Sequence, residues 1–424
     1  MSATSSRPRE SAPVPEQRPA PERLPAPPPA GDRAAARRAP WAVLTSRRLR
    51  LDPADRQILW LYLLTRVAVW GTAYAATRVF PADRGARHSG SVASAFERWD
   101  WGHFLHIARD GYFFGRSGPW TAGWDHREAF FPGFPLMLRA VHTVVPDWTA
   151  AGLLVSFVSG GVAVLALARI ARLHLPHQDV GRRAVLMLLC SPCAVFLAAG
   201  YSESLFLALA LPAWLAARRH HWALAGTLTA LATTVRVSGL FLAAALVVHF
   251  LVSKPAHRRP RHLPWLALPA LPVVAYSSYL HAHTGDWMAW KHAQEKGWYR
   301  TFHTPWEAWG NTWNAAFGHA HDPGYAFMSQ AELAAMVVGL LLFGLLLRQR
   351  RPAEALYVGL SLWALGTSYW YTSVPRATLL WWPLWITLAV WSLRRPRFMS
   401  AYLCLAVPLA AVFALAFLSG RWAG

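Results

Sequence analysis

Apolar residues recur in runs of about 16 to 25 between Arg56 and Gly420, a length that matches the hydrocarbon thickness of a bilayer. A backbone crossing lipid has to satisfy its own hydrogen bonds, so each run reads as a helix. The pattern predicts spans near 57–80, 150–172, 183–199, 202–217, 222–237, 238–252, 263–283, 331–347, 355–371, 377–393 and 398–418. The run 129–146 is broken by Pro132, Pro135 and Arg139 and reads as a re-entrant or interfacial helix. A soluble all-α protein is excluded, because nearly every helix would have to be buried on all sides. The chain therefore divides into a basic Pro/Ala/Arg-rich tail, 1–55, expected to be disordered and cytoplasmic, and a membrane domain of about ten or eleven spans, 56–424.

Charge sharpens this picture. Only 15% of the 424 residues are charged, yet the net charge is +21, and so basic a chain can signal nucleic acid. Position argues otherwise. With the tail in the cytoplasm, five later loops fall inside, holding Arg172, Arg182 and Arg183; Arg218 and Arg219; Lys254, Arg258, Arg259 and Arg261; Arg348, Arg350 and Arg351; and Arg394, Arg395 and Arg397. Two acids, Asp179 and Glu354, oppose them. This positive-inside bias accounts for the charge, and nucleic acid is not expected as a partner. Counting 129–146 as a span would put the later basic loops outside. Most other acids fall on the outer face, which receives the long segments 81–149 and 284–330, and long mixed-charge loops carry function more often than short ones.

Candidate chemistry gathers there. From Asp100, helical spacing puts His103 and Phe104 on one face. A carboxylate near apolar walls can serve as a general base, and the same residues would also suit a solvated interfacial helix. Glu128, beside Arg127, precedes the aromatic run Phe130-Phe131-Pro132; the two can pair with each other, and the aromatics can stack on a sugar or seat the segment in the interface. Glu203, in Tyr201-Ser202-Glu203-Ser204, is an ionisable group at membrane depth or a cap for the following helix. Arg236 and Arg376 stand at outer ends of spans, where an arginine either binds phosphate or snorkels. Gln294 and Arg300 lie in the second long segment. The cysteines read as packing residues. No paired metal-ligand spacing, Walker loop, GxGxxG or GxSxG occurs, so no metal or cofactor is expected.

Taken in order, these segments resemble the PIG-V family of membrane mannosyltransferases. The resemblance rests on Trp99-Asp100 with His103-Phe104-Leu105 and Gly111-Tyr112; Glu128-Ala129-Phe130-Phe131-Pro132; Tyr201-Ser202-Glu203-Ser204-Leu205-Phe206; Thr234, Arg236 and Gly239; Gly285-Asp286 with Gln294, Trp298 and Arg300; and Ser373 with Pro375-Arg376. It implies a GT-C glycosyltransferase fold and transfer of mannose from a polyprenyl-phosphate donor to a lipid or glycan acceptor. That transfer would occur at the extracytoplasmic face of the cell membrane, with inversion and with Asp100 as base. His103, Glu128, Glu203, Gln294 and the three arginines would bind substrate. Two departures, Val237-Ser238 where the family has Ser-Asn and Ala377 where it has an aromatic, leave the acceptor open. The alternatives are a flippase for lipid-linked sugars, which would spread polar residues across the midplane, and a GT-C transferase for another sugar.

Overall fold

The computed structural model describes residues 52–80, 91–115, 118–121 and 123–423. The predicted tail, up to residue 51, lies outside them. Helix α1, Pro53–Tyr74, runs on through one wider turn, Ala75–Val79. It starts four residues before the predicted span, because Asp52 caps it: its carboxylate accepts the Asp55 N–H at 2.7 Å, and Pro53 takes the first position.

The remaining helices follow in order: α2 Asp100–Asp110, α3 Gly133–His142, α4 Trp148–His174, α5 Gln178–Leu189, α6 Ser202–Arg218, α7 Trp222–Val235, α8 Ser238–Val252, α9 Leu263–Ala267 and α10 Ala270–Thr284. Then come α11 Ala289–Trp298, α12 Pro305–Phe317, α13 Pro323–Arg348, α14 Pro352–Gly366, α15 Val374–Ala377, α16 Trp382–Arg394 and α17 Pro396–Leu418. No strand occurs among the described residues. The protein is an all-α polytopic membrane protein.

Five segments are long and apolar enough to cross a membrane: Pro53–Val79, Trp148–His174, Pro260–Thr284, Pro323–Arg348 and Pro396–Leu418. Six further predicted spans form shorter helices, α5 to α8, α14 and α16. The longest of these, α6 with 17 residues, rises about 26 Å against about 30 Å of hydrocarbon. The reason lies at their ends. The backbone leaves the helix over Cys190–Tyr201, Arg236–Val237 and Thr367–Ser373, and each stretch contributes residues to one shared cavity. Irregular backbone at membrane depth is tolerated where it is enclosed by protein or lines a cavity. Helix α3 has 10 residues and is too short to cross, as the non-spanning reading of 129–146 expects.

Helix α4 orients the rest. Near its start, the Trp101 indole lies against Gly152 and Gly200, so closely that a Cβ on either glycine would stand 2.4 or 2.6 Å from the ring. Near its other end, Arg169 and Arg172 each donate at 2.6 Å to the buried Asp55 carboxylate. The two ends are about 26 Å apart along the helix. The core between them is built on aromatics: Trp382 packs on Trp214 at 5.3 Å and on Tyr357 at 4.4 Å.

Candidate active site

At the Trp101 end, four non-glycine residues adopt positive φ, and each stands one to three residues before a charged side chain of interest. Trp99 (φ 50°) precedes Asp100, His126 (φ 62°) precedes Glu128, Tyr299 (φ 54°) precedes Arg300 and Ser373 (φ 66°) precedes Arg376. Such conformations cost on the order of 1–3 kcal/mol each and persist only where surrounding contacts enforce them. One enforcing contact is explicit. Glu332, fully buried in α13, accepts the Ser373 N–H at 2.7 Å and the Val374 N–H at 2.8 Å, one on each carboxylate oxygen. Those amides are the free donors at the N-terminus of α15, where a carboxylate is favoured.

Two of the anticipated residues, Arg236 and Arg376, converge on a third, Glu203. Arg376 donates from Nε to Glu203 Oε1 at 2.6 Å and from Nη1 to Asp100 Oδ2 at 2.7 Å. Arg236, in extended backbone just past α7, donates from Nη1 to the same Glu203 oxygen at 2.5 Å and to Ser202 Oγ at 2.8 Å. The Arg376 guanidinium also lies 4.8 Å from the Phe196 and Tyr201 ring centres, within cation–π range. Tyr201 is itself pinned, its hydroxyl donating to the Arg98 carbonyl at 2.5 Å. The order Asp100–Arg376–Glu203–Arg236 thus forms one continuous chain of charges. Asp100 Oδ1 stays outside its ion pair.

The chain lines a cavity of about 500 Å³. Asp100, Arg236, Gln294, Arg300 and Arg376 all face it, with Phe130 and Trp298 among its aromatic walls. Arg300 differs from the other two arginines: among the described residues its side chain makes no hydrogen bond or ion pair. Burial, with Arg236 nearby, lowers the Arg300 guanidinium from its ordinary value. Lys291 also faces the cavity but is paired with Glu295, one helical turn on.

His103 and Glu128 stand apart from the cavity lining. His103 stacks on Phe130 at 4.9 Å, and burial pushes its imidazole below the ordinary value while Asp100 opposes the shift. Glu128 is fully buried in a short turn, and its backbone carbonyl accepts from the Tyr276 hydroxyl at 2.9 Å. Arg127 donates to Asp125 at 2.6 Å and to the Gly111 carbonyl at 3.2 Å. Gln294, on α11, donates to the Ala129 carbonyl at 3.3 Å, which fastens α11 to the same turn. Sequence reasoning missed Glu332. Its signal was present, since a lone acid inside an otherwise apolar run is costly and calls for a partner.

A family model described as Mannosyltransferase (PIG-V) matches residues 58–254. Over residues 58–254 the chain is similar to the PIG-V mannosyltransferases. The matched stretch carries Asp100, Glu128, Glu203 and Arg236; Glu332 and Arg376 lie beyond it. Relatives include the rat protein named GPI alpha-1,6-mannosyltransferase 2, 30% identical over 216 residues that cover 45% of this chain and 42% of the relative. The mouse protein of that name is 34% identical over 218 residues, 45% of this chain and 41% of the relative, and the human one is 36% identical over 163 residues, 35% and 30%. The match thus spans about two fifths of the length of the rat and mouse relatives.

Proposed function

We propose that the protein is a membrane mannosyltransferase that moves mannose from a polyprenyl-phosphate donor to a lipid or glycan acceptor at the extracytoplasmic face, with inversion and with Asp100 as base. The observation that carries this reading is the cavity: a carboxylate fixed through one oxygen stands in the same enclosure as an arginine with no anion of its own.

In the reaction, Asp100 Oδ1 takes the proton of the acceptor hydroxyl. The acceptor oxygen forms its bond to the anomeric carbon as the carbon–phosphate-oxygen bond breaks on the opposite side. The polyprenyl phosphate leaves with the electron pair. Negative charge grows on the departing phosphate, and fixed cations placed there stabilise the transition state more than the ground state. Arg300 fills that role, seconded by Arg236, which has guanidinium nitrogens beyond the Nη1 that binds Glu203 and Ser202. Arg376, grouped with them on the sequence, has another part. Its Nε and Nη1 are taken by two carboxylates, so it positions the base. Glu332 holds the turn that presents Arg376. Gln294, His103 and Glu128 shape the acceptor side by fixing the turn that bears Phe130.

The test is transfer by purified protein in detergent, with radiolabelled polyprenyl-phosphate mannose as donor, membrane lipid extract as acceptor and Asp100→Asn as paired control. Wild-type transfer that drops by about 10²–10⁴-fold in the variant fits a general base. Full transfer by Asp100→Asn removes Asp100 from the chemistry, and no transfer by the wild type removes the donor.

A further inference from the structure

Arg66 lies in the middle of α1, about 20 Å along the helix from Pro53, and is 5% exposed. All three of its guanidinium nitrogens are buried without a hydrogen-bond partner. Its near neighbour is the Tyr62 ring, 5.0 Å from the guanidinium carbon, and the Tyr62 hydroxyl is already committed to the Phe157 carbonyl at 2.7 Å. A charged group so placed is strongly unfavourable unless something neutralises it.

Arg66 also helps to line a second cavity of about 340 Å³, a groove between α1 and α4. Its other walls are apolar: Leu63, Val67 and Trp70 on α1, Leu153 and Phe157 on α4, and Ala198. Val67 and Trp70 are exposed on an apolar face of a helix long enough to span a membrane. Leu153 and Phe157 fall within about 14 Å of the start of α4, the end that packs on Trp101. The groove therefore belongs to the leaflet half in which Asp100 stands.

We propose that this groove holds the phosphate headgroup of an anionic membrane lipid, bound by the Arg66 guanidinium with the acyl chains along Val67 and Trp70. The guanidinium offers a rigid fork of N–H donors, the geometry that suits a phosphate. The other lining residues are apolar and match hydrocarbon. The ligand arrives through the exposed α1 face, the side that lipid occupies. This site is separated from the transfer cavity by the segment that carries Phe196 and Tyr201, which face that cavity, and Ala198, which faces the groove.

Native mass spectrometry of the purified full chain, delipidated in neutral detergent, tests it. Phosphatidylglycerol, phosphatidylcholine or inorganic phosphate is added separately. The expected result is a phosphatidylglycerol adduct on the wild type that survives activation where the phosphatidylcholine adduct is stripped. The adduct is lost in Arg66→Gln and in Val67→Trp, which fills the groove from an exposed position and leaves Arg66 intact. Should Arg66→Gln fail to fold, Val67→Trp decides alone. Equal retention of the two lipids, an adduct unchanged by Val67→Trp, or displacement of phosphatidylglycerol by inorganic phosphate each overturns the proposal. None of these readouts depends on transfer activity, so the outcome is independent of the proposed reaction.

Discussion

Arg376 reaches two carboxylates from two different nitrogens, Nε to Glu203 and Nη1 to Asp100. A lysine has one nitrogen and no fixed fork. Arg376→Lys therefore keeps the charge and releases one carboxylate, and transfer should fall by about 10²-fold, the scale of a misplaced reacting group. The loss should appear in kcat more than in the KM for donor, and steady-state kinetics separate the two. Glu203→Gln should be worse for stability, because it leaves Arg236 and Arg376 without their shared anion; breaking a buried ion pair costs about 3–5 kcal/mol, and the melting temperature in detergent reads it. His103 gives a pH dependence. Burial lowers its imidazole in the folded chain, so as pH falls below the ordinary histidine range the unfolded chain takes a proton that the folded one refuses. Stability should decline over that window and level off once the folded imidazole is protonated too, and His103→Phe should flatten that part of a melting-temperature profile. At this scale Asp100 was readable, since an acid beside aromatics in a long first loop stands out from its surroundings. Its partner was not, because Arg376 lies 276 residues away and only the fold brings the two together.

The elements that carry these residues are short or bent at the cavity. Helix α15 has four residues, and its start is set by Ser373 in the left-handed region with Glu332 bound to its amides. Glutamine at 332 would turn an N–H group toward one of those amides, so Glu332→Gln should lower both the melting temperature and kcat. Helix α2 is located by Trp101, the residue after Asp100, whose ring sits against Gly152 and Gly200. A methyl group at either glycine would push the ring outward and take Asp100 with it. Gly152→Ala should cost about 1–3 kcal/mol by overpacking and reduce transfer, measured as a melting-temperature shift alongside the labelled-mannose assay. Helix existence was legible from the runs of apolar residues, and so was the break at 129–146. Helix length was not. Residues of 183–199 and 355–371 read as continuous apolar spans, yet the chain turns at Ser191-Pro192 and again at Thr367 to wall the cavity, and hydropathy is indifferent to that choice.

Across the whole molecule, the acidic cavity cluster and the basic helix ends sort to opposite ends of α4. Asp52 and Asp55 at the start of α1 meet Arg169 and Arg172 at the end of α4, as an alternating path through the membrane requires. Single cysteines at His321 and Arg258, both exposed, with Cys190, Cys193 and Cys404 replaced by serine, test the orientation. An impermeant thiol reagent on intact cells should label position 321 and reach 258 only after permeabilisation. The reverse pattern would place the cavity in the cytoplasm. Which loops collect the basic residues was legible in sequence, because that is a matter of counting. The grouping of three acids, Asp100, Glu203 and Glu332, around three arginines was not, because each arrives on a different helix.

One oxygen, Glu203 Oε1, is held by both Arg236 and Arg376. Whatever draws Arg236 toward an incoming phosphate weakens its claim on that atom and leaves Arg376 to take it up, which changes how tightly Asp100 is held. The two substrates would then be felt by each other before they touch. A donor already in place would alter the affinity for acceptor, and by reciprocity the acceptor would alter that for donor. Initial-rate patterns with both substrates varied would show this as lines that cross away from the axes.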